Sequence, residues 1–171
     1  MNWKETDKLR ADQAANPLRW VAPLDGFVAP VFTMPMLQQI FKDGGSKSRR
    51  LRSWGKVTQF SPHFLATRSG TNMHTDPKYP RFSWHLILYN GGFRIRGVSD
   101  TEQPVLNPGV MYLLDTHSPH EVIRDERLPQ ESNYKVQIAI DSHEPTPREV
   151  AIEQIMEYIA GRDIYEMMLE D

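Results

Sequence analysis

The chain has 171 residues, 39% hydrophobic and 25% charged, a balance that suits one folded domain rather than a disordered chain. Lys and Arg number 20 against 22 Asp and Glu, so no overall field argues for a polyanion partner. Cysteine is absent, which excludes disulfides, thiolate metal ligands and a cysteine nucleophile, and fits a reducing compartment.

Residues 1–32 begin polar and then carry short apolar runs separated by Pro17, Pro23 and Pro30. Three prolines exclude a long helix, so the expectation is an arm of short extended pieces lying over the core. A helix is predicted from Thr33-Met34-Pro35, with Thr33 as N-cap and Pro35 in the first turn, where its missing N–H costs nothing. Met36, Leu37, Ile40 and Phe41 share one face of it, and Asp43-Gly44-Gly45 ends it. Lys47, Arg49, Arg50, Arg52 and Lys56 then form a basic run without an acid. Such a run reads as a solvated loop, the alternative being a contact for an anionic substrate or nucleic acid.

From Val57 the pattern changes to short β-like runs: Val57–Phe60, Phe64–Ser69, Phe82–Tyr89, Phe93–Val98, Val110–Leu114, His120–Ile123 and Tyr134–Asp141. Gly, Pro, Asn and Asp clusters bound them, and Asn90-Gly91-Gly92 predicts a hairpin. Short strands at this spacing imply a sandwich or jelly roll rather than alternating βαβ units. The tail is predicted helical, with Thr146 as N-cap, Pro147 at the first position and Ile152, Ile155, Met156 and Ile159 on one face; a further turn or two follows Gly161. The expected organisation is a single domain: arm and helix over 1–56, β core over 57–141, helices over 146–170. No apolar run approaches the ~18 residues of a membrane span, and Met1 to Glu5 lack a secretion-signal pattern, so a cytoplasmic location without a membrane partner is expected.

Chemistry concentrates at His74-Thr75-Asp76 and at Asp115 to His120. Two imidazoles and one carboxylate can occupy three adjacent corners of an octahedron, the arrangement that suits non-heme Fe(II) because the opposite face stays open. His74, Asp76 and His120 are the predicted ligands. His117 competes with His120 but sits in the Asp115–Pro119 turn, whereas His120 leads a run that continues as strand and holds geometry better. Lys135 alternates with Val136, sharing a face with Gln137, Ala139 and Asp141; if Val136, Ile138 and Ile140 pack outward, Lys135 points into the roll. His85 shares a face with Ile87 and Tyr89, opposite Trp84, Leu86 and Leu88. Arg68 is the first choice for a substrate-facing group, and His63 and His143 read as surface residues.

Met73 to Asp76, Ser83 to Leu88, Asn107 to Asp115, His120 to Val122 and Lys135 to Asp141 together resemble the Fe(II)/2-oxoglutarate-dependent oxygenases, nearest the aspartyl/asparaginyl β-hydroxylase-like branch. The resemblance covers about residues 57–141. It implies a double-stranded β-helix (a cupin-like jelly roll) over those residues, so that, with the flanking N- and C-terminal helices predicted above, the fold is mainly β, and it implies Fe(II) as metal and 2-oxoglutarate as co-substrate. It further implies hydroxylation of an amino-acid side chain, free or in a peptide. His85 carries over as a co-substrate contact. The chain departs from the family's pattern twice: Lys135 stands where an Arg usually binds the far carboxylate of 2-oxoglutarate, and Ser83 stands where an Arg precedes the strand histidine. Lysine would serve as a point charge rather than a fork. Arg124 and Arg127 are the fallback carboxylate binders. Two other functions compete: an oxygenase of nucleotides or nucleic acid using the Lys47–Lys56 run, and a cupin-like module that binds metal or ligand without turnover.

Overall fold

The computed structural model describes residues 17–41, 49–51 (main chain only), 62–98 and 104–169. Among the described residues there are eight strands, β1 (Leu18–Pro23), β2 (Arg49–Leu51), β3 (His63–Thr67), β4 (Phe82–Asn90), β5 (Phe93–Arg96), β6 (Val110–Asp115), β7 (Glu121–Arg124) and β8 (Lys135–Ser142), and three α-helices. The helices are α1 (Met34–Ile40), α2 (Arg148–Ile159) and α3 (Ile164–Leu169). Six strands form one antiparallel sheet in the order β1-β6-β4-β8-β3-β2, and β5 pairs with β7 in a second. Residues 71–74 extend the small sheet along β7: the Thr71 N–H donates to the Val122 carbonyl at 2.9 Å, and His74 and His120 pair antiparallel. From β3 onward the chain therefore alternates between large and small sheets, which is the winding of a double-stranded β-helix. The fold is the cupin-like jelly roll, with helices at both ends of the chain.

Alternation decides which side chain meets which layer. Phe64, Ala66, Trp84, Leu86, Leu88, Met111, Leu113, Val136, Ile138 and Ile140 leave the large sheet on one face and are covered by α1, α2 and α3. Trp84 is completely enclosed there, its indole N–H donating to the Thr146 carbonyl at 2.7 Å. Ile87, Val110, Tyr112 and Leu114 leave on the other face and meet Ile95 and Val122 of the small sheet. Lys135, Gln137 and Ala139 share that inner face, because Val136, Ile138 and Ile140 pack outward.

Some local expectations shift. Thr33 caps α1 as expected, its hydroxyl accepting from Met36 N–H at 3.4 Å. Pro147, not Thr146, precedes the first turn of α2, and Thr146 is buried with its carbonyl taken by Trp84. Asn90-Gly91-Gly92 is no hairpin: it carries the chain from the large sheet to the small one, and the strands it joins do not pair. The Asn90 side chain holds this crossing, accepting from Phe93 N–H at 2.8 Å and donating to the Phe93 and Leu106 carbonyls. Gly92 sits at φ 98°, a conformation that costs a side-chain-bearing residue dearly. The arm's extended piece is β1, an edge strand of the large sheet rather than a layer over it. Val57–Phe60 and the basic run apart from Arg49–Leu51 lie outside the described residues; Arg49–Leu51 pairs with β3.

Candidate metal centre

Main-chain hydrogen bonds assemble the site. His74 N–H donates to the His120 carbonyl and His120 N–H to the His74 carbonyl, each at 2.9 Å, so the two residues face each other across the edge of the small sheet. Their rings lie 4.4 Å apart, centroid to centroid. Each ring is turned by its own neighbour two residues back: His74 Nδ1–H donates to the Asn72 carbonyl at 2.6 Å and His120 Nδ1–H to the Ser118 carbonyl at 2.8 Å. That leaves both Nε2 atoms toward Asp76, at 3.5 Å from Oδ1 for His74 and 3.2 Å from Oδ2 for His120. Asp76 is held by its own N–H, which donates to the Thr116 carbonyl at 2.9 Å.

One donor atom from each of these residues lies within 4.8 Å of the others, and they form a group able to hold a metal ion. The donor set fits a first-row divalent cation: two imidazole nitrogens in the tautomer a metal needs, fixed through Nδ1–H, and one carboxylate. His120 rather than His117 faces the carboxylate. The His117 side chain is turned outward, its Nε2 at 3.2 Å from the Tyr79 carbonyl.

The triad lies where β6 hands over to β7, the end of the inner face that carries Ser83 and Asp141. Lys135 enters the same face from the far end, where it pairs with Asn90 and Thr67. Its side chain is 3% exposed, its ammonium stands 5.9 Å from the centre of the Phe93 ring, and no carboxylate partners it among the described residues. Burial lowers its pKa from 10.5 to about 8, so it remains a cation at neutral pH.

His85 lies between. It is buried and stacks on Tyr112 with centroids 4.7 Å apart and planes 11° from parallel. Its pKa is held well below 6.5, first by burial, then by the Lys135 cation, with His63 and His120 adding smaller contributions. The imidazole is therefore neutral at neutral pH. Gln137 partly opposes the shift, but its carboxamide oxygen accepts from the Tyr112 hydroxyl at 2.9 Å. Neither His85 nitrogen completes a hydrogen bond among the described residues. Two buried acceptor or donor positions beside a buried cation make this wall unusual for a β-roll core, where buried polar atoms are nearly always paired.

Arg68 is not brought to this wall. Thr67 shares the inner face with Lys135, so Arg68, the next residue, leaves on the other, where its guanidinium lies 5.4 Å from the rings of both Phe41 and Tyr134. Those rings stack on each other at 4.5 Å under α1. The expectation of a substrate contact is corrected to a packing role. Arg124 bonds the Asn133 side chain, and Arg127, with its side chain 90% exposed, pairs with Asp125 at 2.9 Å. His63 is also corrected: it is buried on the inner face with Nε2 3.7 Å from Asp141, whose other oxygen accepts from Ser83 Oγ–H at 2.6 Å. His143 is exposed, as expected.

What composition and spacing left unseen is Asp115. It reads as a turn residue after a strand, yet it is fully buried and bound by two arginines, Arg19 and Arg81. No local pattern announces these partners, which stand 96 and 34 residues away.

No helix among the described residues is long and apolar enough to cross a membrane. No family model matches the chain, and no curated protein matches it. Among solved structures, the chain is similar to a protein of Ralstonia eutropha JMP134 provisionally named a mannose-6-phosphate isomerase. The likeness covers 61% of this chain and 95% of that one, at 17% identity and a TM-score of 0.38. So remote a likeness says nothing of reaction or substrate. By its own strand order and donor set, the chain is a cupin-like β roll carrying a His-Asp-His group able to hold a metal.

Proposed function

We propose that this chain is an Fe(II)- and 2-oxoglutarate-dependent oxygenase that hydroxylates an amino-acid side chain, free or in a peptide. The observation that carries the reading is Lys135. A lysine buried on the inner wall of the roll that holds the triad, without a carboxylate among the described residues, is costly to fold and suits an anion arriving from outside. A dicarboxylic oxo acid fits that demand, one end toward the metal and the other toward the ammonium.

His74, Asp76 and His120 would hold Fe(II) on one face and leave the opposite positions open. Bound together, Fe(II) and 2-oxoglutarate would activate dioxygen, so that one of its atoms enters a substrate C–H bond and the other leaves in succinate as 2-oxoglutarate loses carbon dioxide. The protein's own residues bind and shield. Lys135 neutralises the far carboxylate as a point charge. His85 stays neutral, so it adds hydrogen-bonding capacity beside Lys135 without a second charge, and the Tyr112 ring behind it fixes its plane. Tyr112 itself stays protonated, because burial raises its pKa more than the Gln137 contact lowers it. The apolar side chains of Ile87, Ile95 and Val122 exclude water from the inner wall.

The test is anaerobic addition of Fe(II) and 2-oxoglutarate to metal-free protein, followed by air. A weak visible charge-transfer band, then release of succinate that His74→Ala abolishes, is the expected result. Iron binding with neither band nor succinate would replace this reading by a metal-binding module without turnover.

A further inference from the structure

Asp115 closes β6 and, among the described residues, makes no side-chain hydrogen bond or ion pair with the three candidate ligands, yet both halves of the site lead back to it. Arg19 Nη2 donates to Oδ2 at 2.9 Å from β1. Arg81, just ahead of β4, donates twice, Nε to Oδ1 at 3.1 Å and Nη2 to Oδ2 at 3.0 Å. Burial alone would push this carboxyl toward neutrality; the two guanidiniums, with the His117 N–H, outweigh it and hold the pKa below the usual range.

The connections run outward in two directions. Arg81 ends the segment that leaves the small sheet at His74, carries Asp76 and enters the large sheet at Phe82, so the bidentate pair ties that segment's end to Asp115. In the other direction, Asp115 Oδ1 accepts the His117 N–H at 3.1 Å and shapes the turn after β6. From that turn the Thr116 carbonyl accepts Asp76 N–H, and the Ser118 carbonyl accepts His120 Nδ1–H. Thr116 N–H returns to the Arg81 carbonyl at 2.7 Å and closes the ring of contacts.

We infer that Asp115, clamped by Arg19 and Arg81, is a positioning residue of the metal centre: it sets the spacing of Asp76 and His120, and through them the affinity and geometry of the bound ion. The inference rests on the metal-binding part of the proposed function and is independent of 2-oxoglutarate. A salt bridge that only stabilised the fold would make no such demand on the metal.

Titration of the metal-free protein with Co(II) separates the two, because the visible spectrum of that ion reports affinity and coordination geometry together. Arg81→Met is the informative variant. The Arg81 side chain is 48% exposed and Arg19 stays on Asp115, so the buried carboxylate keeps a charged partner in this variant. The expected result is roughly tenfold or greater loss of Co(II) affinity with an altered spectrum, read under conditions where urea denaturation shows the metal-free variant to be fully folded. Arg81→Lys, which keeps the charge but not the two-pronged contact, should fall between. Asp115→Asn should lose more; should it fail to fold, the two Arg81 variants decide the matter alone. Unchanged Co(II) affinity and spectrum in Arg81→Met, or a loss that merely follows the urea midpoint, overturns the inference. A parent protein that binds no Co(II) would instead remove the metal centre itself, and this inference with it.

Discussion

Replacing Lys135 with Met should make the metal-free protein more stable while removing its response to 2-oxoglutarate. Burial drops the lysine pKa from 10.5 to about 8. At about 1.4 kcal/mol for each tenfold step in proton affinity, that is about 3 kcal/mol against folding below pH 8. The Phe93 ring returns about 0.5–1 kcal/mol through its face, and Met keeps most of the stem's packing. A net gain of about 2 kcal/mol at pH 7 follows. The sign with pH is fixed by linkage: between pH 8 and 10.5 the unfolded chain holds a proton that the folded one has released, so parent stability rises with pH across that window. The variant lacks this rise, and the gap should close by about pH 10. Urea denaturation of both proteins at pH 7 and pH 10 measures it. 2-Oxoglutarate, added with a redox-inert divalent metal, should then stabilise the parent and leave the variant unmoved. A variant less stable than the parent at pH 7, or a gap indifferent to pH, would mean that the ammonium already has a partner in the folded chain, and the anion-anchor argument would be wrong.

Three further outcomes are expected. Co(II) titration should show His120→Ala weakened by about two orders of magnitude and His117→Ala unaffected, since only the former faces Asp76; the reverse would make His117 the ligand. His85→Phe keeps the stack on Tyr112 but removes a group that refuses protons when folded. The His85 contribution to stability is therefore fully present above pH 6.5 and lost as pH falls below it, where the unfolded chain takes up the proton, and the variant's acid limb should be flatter in denaturation series from pH 7 to 5. Arg68→Ala should cost about 1 kcal/mol through the lost Phe41 and Tyr134 contacts, while the 2-oxoglutarate concentration for half-maximal succinate release stays put; a large rise in that concentration would return Arg68 to the site.

Strand alternation carried most of what was legible beforehand. The opposite faces of β4 and β8 follow from period two alone, but which face turns inward, and so the aim of His85 and Lys135, depends on what packs against each side. His74-x-Asp76 was visible because two donors two residues apart can share one centre, and His120 because it opens a strand. Residues whose roles depend on distant partners were not legible. Asp115 needs Arg19 and Arg81, His63 needs Asp141, and nothing in their neighbourhoods marks either pairing. Arg68 failed for a smaller reason: its side of the sheet is set by which residue of β3 pairs with Lys135, and register is a property of two strands together. Asn90-Gly91-Gly92 has the residues of a hairpin, but the flanking strands find partners in different sheets.

The reciprocal bonds between His74 and His120 are made by main-chain atoms and engage none of the side-chain donors of the triad. A seat built by the peptide backbone needs no cation to take shape, so loading and unloading should be quick and reversible, with little refolding on either step. Such a seat also has few means of telling one first-row ion from the next. The metal found in protein purified from cells would then record what the growth medium supplied, and only competition among ions added to stripped protein would reveal which of them it favours.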